Sequence, residues 1–358
     1  MSDLKRILVT GAGGSKAINF VKSLRMAPER LYIVGTDCNK YHLELSNSDK
    51  KYLVPNCKDT KYVSVLNKII KEEDVGMICP CPTIEVEAIS ERRDDIEARL
   101  FLPSRETIKL CGNKLRLNKV LGDNGVPVPE SYQVKDEGDL ETFLPKLLRK
   151  NLGQVWLRAI RGAGSRGALP VKDVDVAKAW IKYWSWKKRL GYGDFMLSEY
   201  LLGREYAFQS LWKDGELITS QARERLEYLF GDLTPSGQSS SYVVGKTVHN
   251  EKINQICTQA VEVFDGGASG VFCIDLKQNV NGIPCIMEIN AGRFFTTSNF
   301  LTEAGSNMPY YYLKLGYNEE MPQLPKYNAV PEGWYWIRVM DGGHKLVKGE
   351  KWICNTVT

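Results

Sequence analysis

At 358 residues the chain is too long for one typical hydrophobic core and predicts two or three domains. Its 43% hydrophobic and 25% charged residues are those of a soluble globular protein, and its net charge of +5 comes without a lysine or arginine run of the kind that binds nucleic acid or anionic lipid. That excludes nucleic acid and anionic lipid as expected partners, and no apolar run is long enough to span a membrane. Small acidic ligands remain.

Asp3, Lys5 and Arg6 precede a first strand and do not make a signal peptide. The nine cysteines lack metal-ligand spacing; Cys79 and Cys81, two apart on a strand, share one face. Reduced thiols in a cytoplasmic protein are the expectation.

In chain order, Ile7 to Thr10, Leu31 to Gly35, Tyr52 to Val54, Gly76 to Cys79 and Leu100 to Leu102 read as short buried strands. Lys16 to Arg25, Tyr62 to Glu72 and Val86 to Ala98 read as helices. The alternation predicts an open parallel sheet, which binds ligands at the carboxyl ends of its strands. Gly11, Gly13, Gly14, Asp37, Thr83, Glu85 and Glu87 lie at such ends. The turn resembles a dinucleotide fingerprint, with Asp37 where an acid would hold a ribose. The third glycine of that fingerprint is replaced by Lys16, which argues against a standard NAD site.

Lys114 to Asp123 follows as a helix, with Asn113 as N-cap and Asn124-Gly125 as its stop. "VPVPES", Val126 to Ser131, is an extended linker, since its two prolines forbid helix. Beyond it a strand carrying Arg158 leads into the glycine-rich loop Gly162, Gly164, Ser165, Gly167, and Ala168 to Val171 leads out as a strand. No Lys-Ser/Thr and no helix follow, so this is not a P-loop; its amides could cover a phosphate chain, or it is a plain hairpin turn. Val174 to Leu190 is a helix whose tryptophans pack on a sheet, and Phe195 to Leu201 is a strand.

Two further strands, Val271 to Leu276 and Pro284 to Ile289, form a hairpin through a polar Asn-Gly loop. Pairing brings Asp275, Glu288 and Asn290 to one side. Hard oxygen ligands without His or Cys suit Mg²⁺, with nucleotide phosphates completing the shell and Arg293 able to pair with phosphate.

Order and spacing of these pieces over about residues 5 to 320 resemble the ATP-grasp family, especially its carbamoyl-phosphate-synthase-like carboxylate–amine ligases. The resemblance implies an α/β (α+β) fold in three parts: a Rossmann-like domain over 1–110, a lid subdomain over 111–200, and a nucleotide- and metal-binding subdomain with a C-terminal tail over 201–358. It implies that Lys114 and Arg158 contact ATP phosphates, and that Gly162 to Gly167 form a mobile lid loop. Glu199, Tyr200 and Leu201 would be the adenine hinge, Glu205 a ribose acid, and Asp275, Glu288 and Asn290 the magnesium ligands. Arg158, Arg293 and Asn290 would serve catalysis. The N-terminal sheet would hold the acceptor: Gly13, Gly14 and Ser15 through amides, Thr83, Glu85 and Glu87 through side chains, with Arg223 and Arg225 adding substrate or phosphate contacts. Asn290-Ala291-Gly292-Arg293 departs from the family's Asn-Pro-Arg, and Asp275 from its Glu or Gln.

The expected activity is ATP-dependent ligation of a small-molecule carboxylate to an amine through an acylphosphate, with Mg²⁺ or alternatively Mn²⁺. A catalytically silent ATP module, one subunit of a larger synthetase and a nicotinamide oxidoreductase are the alternatives. The oligomeric state stays open, a homodimer among the options. In the tail, Trp334 to Thr358, "WYWIRVMDGGHKLV" predicts a terminal hairpin.

Overall fold

Three sheets carry the chain in the computed structural model, whose described residues are 4–150, 153–162, 167–234, 242–339 and 343–349. The first contains β1 (Lys5–Thr10), β2 (Leu31–Asp37), β3 (Lys50–Leu53) and β4 (Met77–Cys79) in the order β3-β2-β1-β4. Every pair is parallel, as crossover helices require. Helices α1 (Ser15–Arg25), α2 (Lys40–Glu44), α3 (Tyr62–Glu72), α4 (Thr83–Glu91) and α5 (Arg105–Cys111) surround it. Ile7, Leu8 and Val9 are fully buried, because helices cover both faces.

Two readings of this part need correction. Leu100 to Leu102 is not a strand; one bridge, Met77 with Arg99, is all the sheet gains, and Pro103 has no N–H to extend it. The helix expected over Val86 to Ala98 instead begins at Thr83, after the extended Pro82, and ends at Glu91.

α6 (Lys114–Asp123) is capped as predicted, Asn113 accepting from the Arg116 amide. The second sheet, order β5-β8-β6-β7, contains β5 (Ser131–Val134), β6 (Val155–Ala159), β7 (Leu169–Val171) and β8 (Phe195–Glu199). α7 (Glu137–Lys150) and α8 (Val174–Lys188) flank it. Nothing in the sequence reading assigned α7; Pro145 inside it removes one backbone donor and obscures the pattern, while Leu140, Leu144 and Leu147 bury its apolar stripe.

The third sheet is antiparallel, order β13-β12-β9-β10-β11-β14-β15. It contains β9 (Glu205–Lys213), β10 (Glu216–Tyr228), β11 (Tyr242–Val248), β12 (Gly270–Gln278), β13 (Pro284–Ala291), β14 (Trp334–Val339) and β15 (Gly343–Lys348). The last two strands are the expected terminal hairpin. α9 (Glu251–Phe264) packs on one face; α10 (Ser298–Glu303) and α11 (Met308–Gly316) stand on the other and dock on α1. The α1 junction is polar as well as apolar: Asn19 donates to the Thr296 carbonyl at 2.6 Å, Asn307 to that of Ser23 at 2.7 Å, and Phe20 meets Phe294 at 5.4 Å. It fixes the first sheet against the third.

The glycine turn after β1 is held from within. Gly11 has φ +56°, and a Cβ on Gly13 would stand 1.9 Å from the His42 carbonyl oxygen. A Cβ on Gly14 would meet nothing nearer than 3.2 Å. Gly13→Ala should therefore cost more than about 2 kcal/mol of stability, and Gly14→Ala about 1 kcal/mol or less. Thermal unfolding of the two variants checks this; equal midpoints would contradict it.

Candidate functional site

The site grows from the β12–β13 hairpin. Asp275 lies directly across from Glu288, and Asn290 is two residues further along the same face. A register irregularity follows Asp275 and leaves Met287 outside the ladder. The Asn290 amide nitrogen sits 3.3 Å from Asp275 Oδ2 and 3.2 Å from Glu288 Oε1, so both carboxylates converge on one point.

Cations from the second and third sheets and from α6 enclose that point. Arg225, on β10, donates to Asp275 and, at 3.3 Å, to Glu205. Arg293 donates to the Asn290 oxygen and, at 2.6 Å, to Thr83 Oγ1 of α4. Lys114, first residue of α6, lies 3.5 Å from Glu288 and 2.8 Å from the Gly162 carbonyl. Arg158, on β6, is buried; it reaches the Met287 carbonyl at 3.3 Å, and its Nε has no partner among the described residues. Arg223 is 1% exposed, lies 4.7 Å over the Phe295 ring, and none of its three guanidinium nitrogens has a hydrogen-bond partner among the described residues. A buried guanidinium without an acceptor is costly.

These charges split the two acids. Burial lifts Asp275 above the usual carboxylate range, with Arg225 opposing it. Burial acts upward on Glu288 too, but Lys114, Arg293 and Arg158 outweigh it and hold that carboxyl below the usual range. Burial lowers Arg158 to about 10. Among the described residues no three His, Cys, Asp or Glu side chains gather as a complete metal cage. A hard cation at Asp275, Glu288 and Asn290 would need outside oxygens, which phosphates provide.

Two spaces flank the cluster. One is a narrow slot between the second and third sheets, lined by Trp156, Arg158, Glu199, Tyr200, Leu201 and Lys277. Glu199 spends its amide on the Glu130 carbonyl, while Tyr200 and Leu201 amides have no backbone partner among the described residues. The other is a cavity of about 600 Å³ between α4, α5, the second sheet's α8 and the hairpin; Glu288 and Asn290 form one wall.

The predicted residues divide accordingly. Thr83 and Glu87, one helical turn apart, line the cavity; Glu85 does not, since on α4 it projects to the other side. It lies buried beneath the glycine turn. Gly13 donates to Asp37 Oδ2 at 3.2 Å and Gly14 to the Gly11 carbonyl at 2.9 Å, while Ser15 opens α1 and is exposed. Asp37 also accepts from the Asn39 amide at 2.8 Å, so it braces the turn. Gly162 lines the cavity and Gly167 packs on Ala159, while Gly164 and Ser165 lie outside the described residues. Glu205 is engaged by Arg225, by Tyr228 and, at 3.9 Å, by Lys277.

Sequence reading missed Lys16 and Arg161, both in the cavity wall. Lys16 has neither an ion pair nor a hydrogen bond from its side chain among the described residues; burial, then Arg293, lowers its ammonium to about 8. The signal was there: Lys16 is the residue that breaks the fingerprint.

Residues 7–99 match the family model "PylC-like, N-terminal domain", and residues 192–332 the model "ATP-grasp in the biosynthetic pathway with Ter operon". No curated protein matches the sequence. Among solved structures, the carboxyaminoimidazole ribonucleotide synthase of Aspergillus clavatus complexed with ATP is similar at 17% identity and TM-score 0.69, covering 94% of this chain and 82% of that one. The biotin carboxylase domain of the Hydrogenobacter thermophilus 2-oxoglutarate carboxylase, with MgADP and bicarbonate, is similar at 16% and 0.69, covering 93% and 73%. The L-amino acid ligase of Bacillus licheniformis stands at 13% and 0.69, covering 94% and 79%. At these identities the likeness is one of fold.

Glu85 supplies a pH test of the turn. Burial raises its carboxyl to about 7, with Asp37 adding repulsion. The folded state thus keeps a proton that the unfolded chain has lost, and stability falls as pH rises from the ordinary 4.5 to about 7. Glu85→Gln should remove this slope and gain up to about 3 kcal/mol at pH 8. Urea unfolding at pH 5 and pH 8 checks it; an unchanged slope would contradict it.

Proposed function

We propose that this chain, which carries an ATP-grasp domain behind a PylC-like N-terminal domain, is an ATP-dependent carbon–nitrogen ligase. A carboxylate oxygen of a small molecule attacks the γ-phosphorus, ADP leaves, and an amine then displaces phosphate from the acylphosphate. The observation that carries this reading is the cation-ringed Asp275–Glu288–Asn290 cluster standing between the slot and the cavity. Similar folds crystallised with ATP and with MgADP support it.

The division we assign follows the three sheets: residues 1–110 for the acceptor, 111–200 as lid, and 201–358 for nucleotide and metal. Adenine enters the slot against Trp156 and Tyr200, with Tyr200 and Leu201 offering backbone groups. Arg158 and Lys114 then face the phosphates, with Gly162 beside Lys114. Asp275, Glu288 and Asn290 would hold Mg²⁺, or Mn²⁺ in its place, which would neutralise and orient phosphate oxygens. Arg293 joins the phosphate end to Thr83 on the acceptor side. Lys16, close to Arg293 and Glu288, draws the carboxylate in. The work is positioning and charge neutralisation, and no side chain need become a covalent nucleophile. Asp37, committed to two amides, is not disposed to hold a dinucleotide ribose.

Glu288→Gln should cut acceptor-dependent ADP release by about a hundredfold or more while sparing the fold, since it removes one cation-holding charge at nearly constant shape. Glu87→Gln should leave MgATP binding intact and weaken the acceptor. Coupled assays of ADP release with pooled carboxylates and amines, beside calorimetric MgATP titration of both variants, check the contrast. Normal turnover by Glu288→Gln, or loss of MgATP by Glu87→Gln, would contradict it.

A further inference from the structure

An amine that attacks an acylphosphate must first give up a proton. At neutral pH an alkyl amine is almost wholly an ammonium, without the lone pair that attacks. Ligation thus needs a base beside the site, and the wall of the 600 Å³ cavity restricts the choice. Among the described residues of that wall there is no histidine, and Glu87 and Glu288 are the only carboxylates. Glu288 is committed: Asn290 donates to it at 3.2 Å and Lys114 stands 3.5 Å away. Lys16, paired with an acid, stays charged and has no place for a proton.

Glu87 is different. It follows Thr83 by one turn of α4, and Thr83 accepts the 2.6 Å bond of Arg293, which also donates to Asn290. Glu87 therefore stands one turn from the bridge to the cluster without belonging to the cluster. Gly112 leaves its carboxylate room, since a Cβ there would stand 3.2 Å from Glu87 Oε1. Among the described residues no ion pair and no hydrogen bond engages the Glu87 side chain. Partial desolvation lifts its carboxyl above the ordinary 4.5; Arg161 and Lys114 act against the lift and Glu91 with it.

Charge decides when the amine can come. Lys16, Lys114, Arg161 and Lys188 line the same cavity and repel an ammonium until phosphates and an acid have entered. Those anions cancel the field, and Glu87 then has a cation to pair with. The amine is placed last, once an acylphosphate is there to attack.

We propose that Glu87 is a catalytic residue, the general base that pairs with the ammonium of the amine substrate and takes its proton. The inference rests on the ligase reading and assigns Glu87, on the acceptor side, to the amine and not to the acid. One N–H proton passes to the Glu87 carboxylate. The freed lone pair forms the N–C bond to the acyl carbon, and the C–O bond to phosphate breaks with its electron pair on phosphate. A second N–H proton leaves with the phosphate, and Glu87 returns its own to solvent.

The test gives the full-length protein MgATP, pooled small carboxylates and two nucleophiles in turn at pH 7. One is a pool of alkyl amines, charged at that pH. The other is hydroxylamine, which is uncharged there and needs no base. Mass spectrometry reads amide and hydroxamate beside ADP release. The wild type should give both products. Glu87→Gln should lose amide by about a hundredfold or more and keep most of its hydroxamate, and Glu87→Asp should recover part of the amide. Raising the pH by one unit supplies about tenfold more free amine, so the deficit of Glu87→Gln against the wild type should shrink by that factor. Equal loss of amide and hydroxamate by Glu87→Gln would overturn the proposal, because a structural or acid-binding role moves both. So would undiminished amide, a deficit that pH leaves unchanged, or hydroxamate without amide in the wild type. Absence of both products from the wild type is a different result: it removes the ligase reading and the proposal with it.

Discussion

A surplus of enclosed positive charge is the constraint around which this molecule is arranged. Lys16, Lys114, Arg158, Arg223, Arg225 and Arg293 gather about three carboxylates, Glu205, Asp275 and Glu288. These six outnumber the three carboxylates beside them, at the edge of a cavity that Glu288 and Lys114 wall. Enclosed charge without a counter-charge is unfavourable, and such clusters gather at binding and catalytic sites. The magnesium–triphosphate and carboxylate proposed above would each offset part of that excess. Among the described residues Arg223 and Arg158 Nε lack hydrogen-bond partners, the same imbalance seen at single atoms.

Register does the assembling. Across the third sheet Glu288 pairs with Asp275, Asp275 with Ala207, and Ala207 with Arg223. The row runs from acid to cation with a small residue between, which leaves Arg225 room to reach Asp275. Of the other cations, Arg158 comes from β6 of the second sheet, Lys16 and Lys114 from the first turns of α1 and α6, and Arg293 follows β13. The α1–α10–α11 junction then holds the first sheet against the third, so that Arg293 can bond Thr83 across the cleft. Positioning of this kind depends on packing far from the chemistry.

How far the sequence disclosed this site depends on how far each interaction reaches. Glu288 and Asn290 are two apart on one strand, and Asp275 joins them through a short hairpin, so their grouping was legible in local alternation. Asn113 and Lys114 were legible as a cap and a helix start. Lys16 was not, because its meaning comes from Glu288 and Arg293, far away in the chain. The three polar residues Thr83, Glu85 and Glu87 looked equivalent on a strand end; helical geometry separates them, two to the cavity and one to the interior. Arg223 and Arg225 could be named but not placed, since a long strand in a seven-stranded sheet owes its neighbours to long-range pairing. α7 escaped notice through Pro145, and Leu100 to Leu102 had strand-like composition without a partner edge to complete it.

The central claim is that the enclosed charge is matched by a phosphate chain. The most direct measurement is calorimetric titration of the protein with Mg²⁺ and, in turn, ATP, ADP, AMP and NAD. Affinity should fall steeply from ATP through ADP to AMP as phosphates are lost, with NAD not bound. Equal affinities for ATP and AMP, or tight binding of NAD without ATP, would contradict the account.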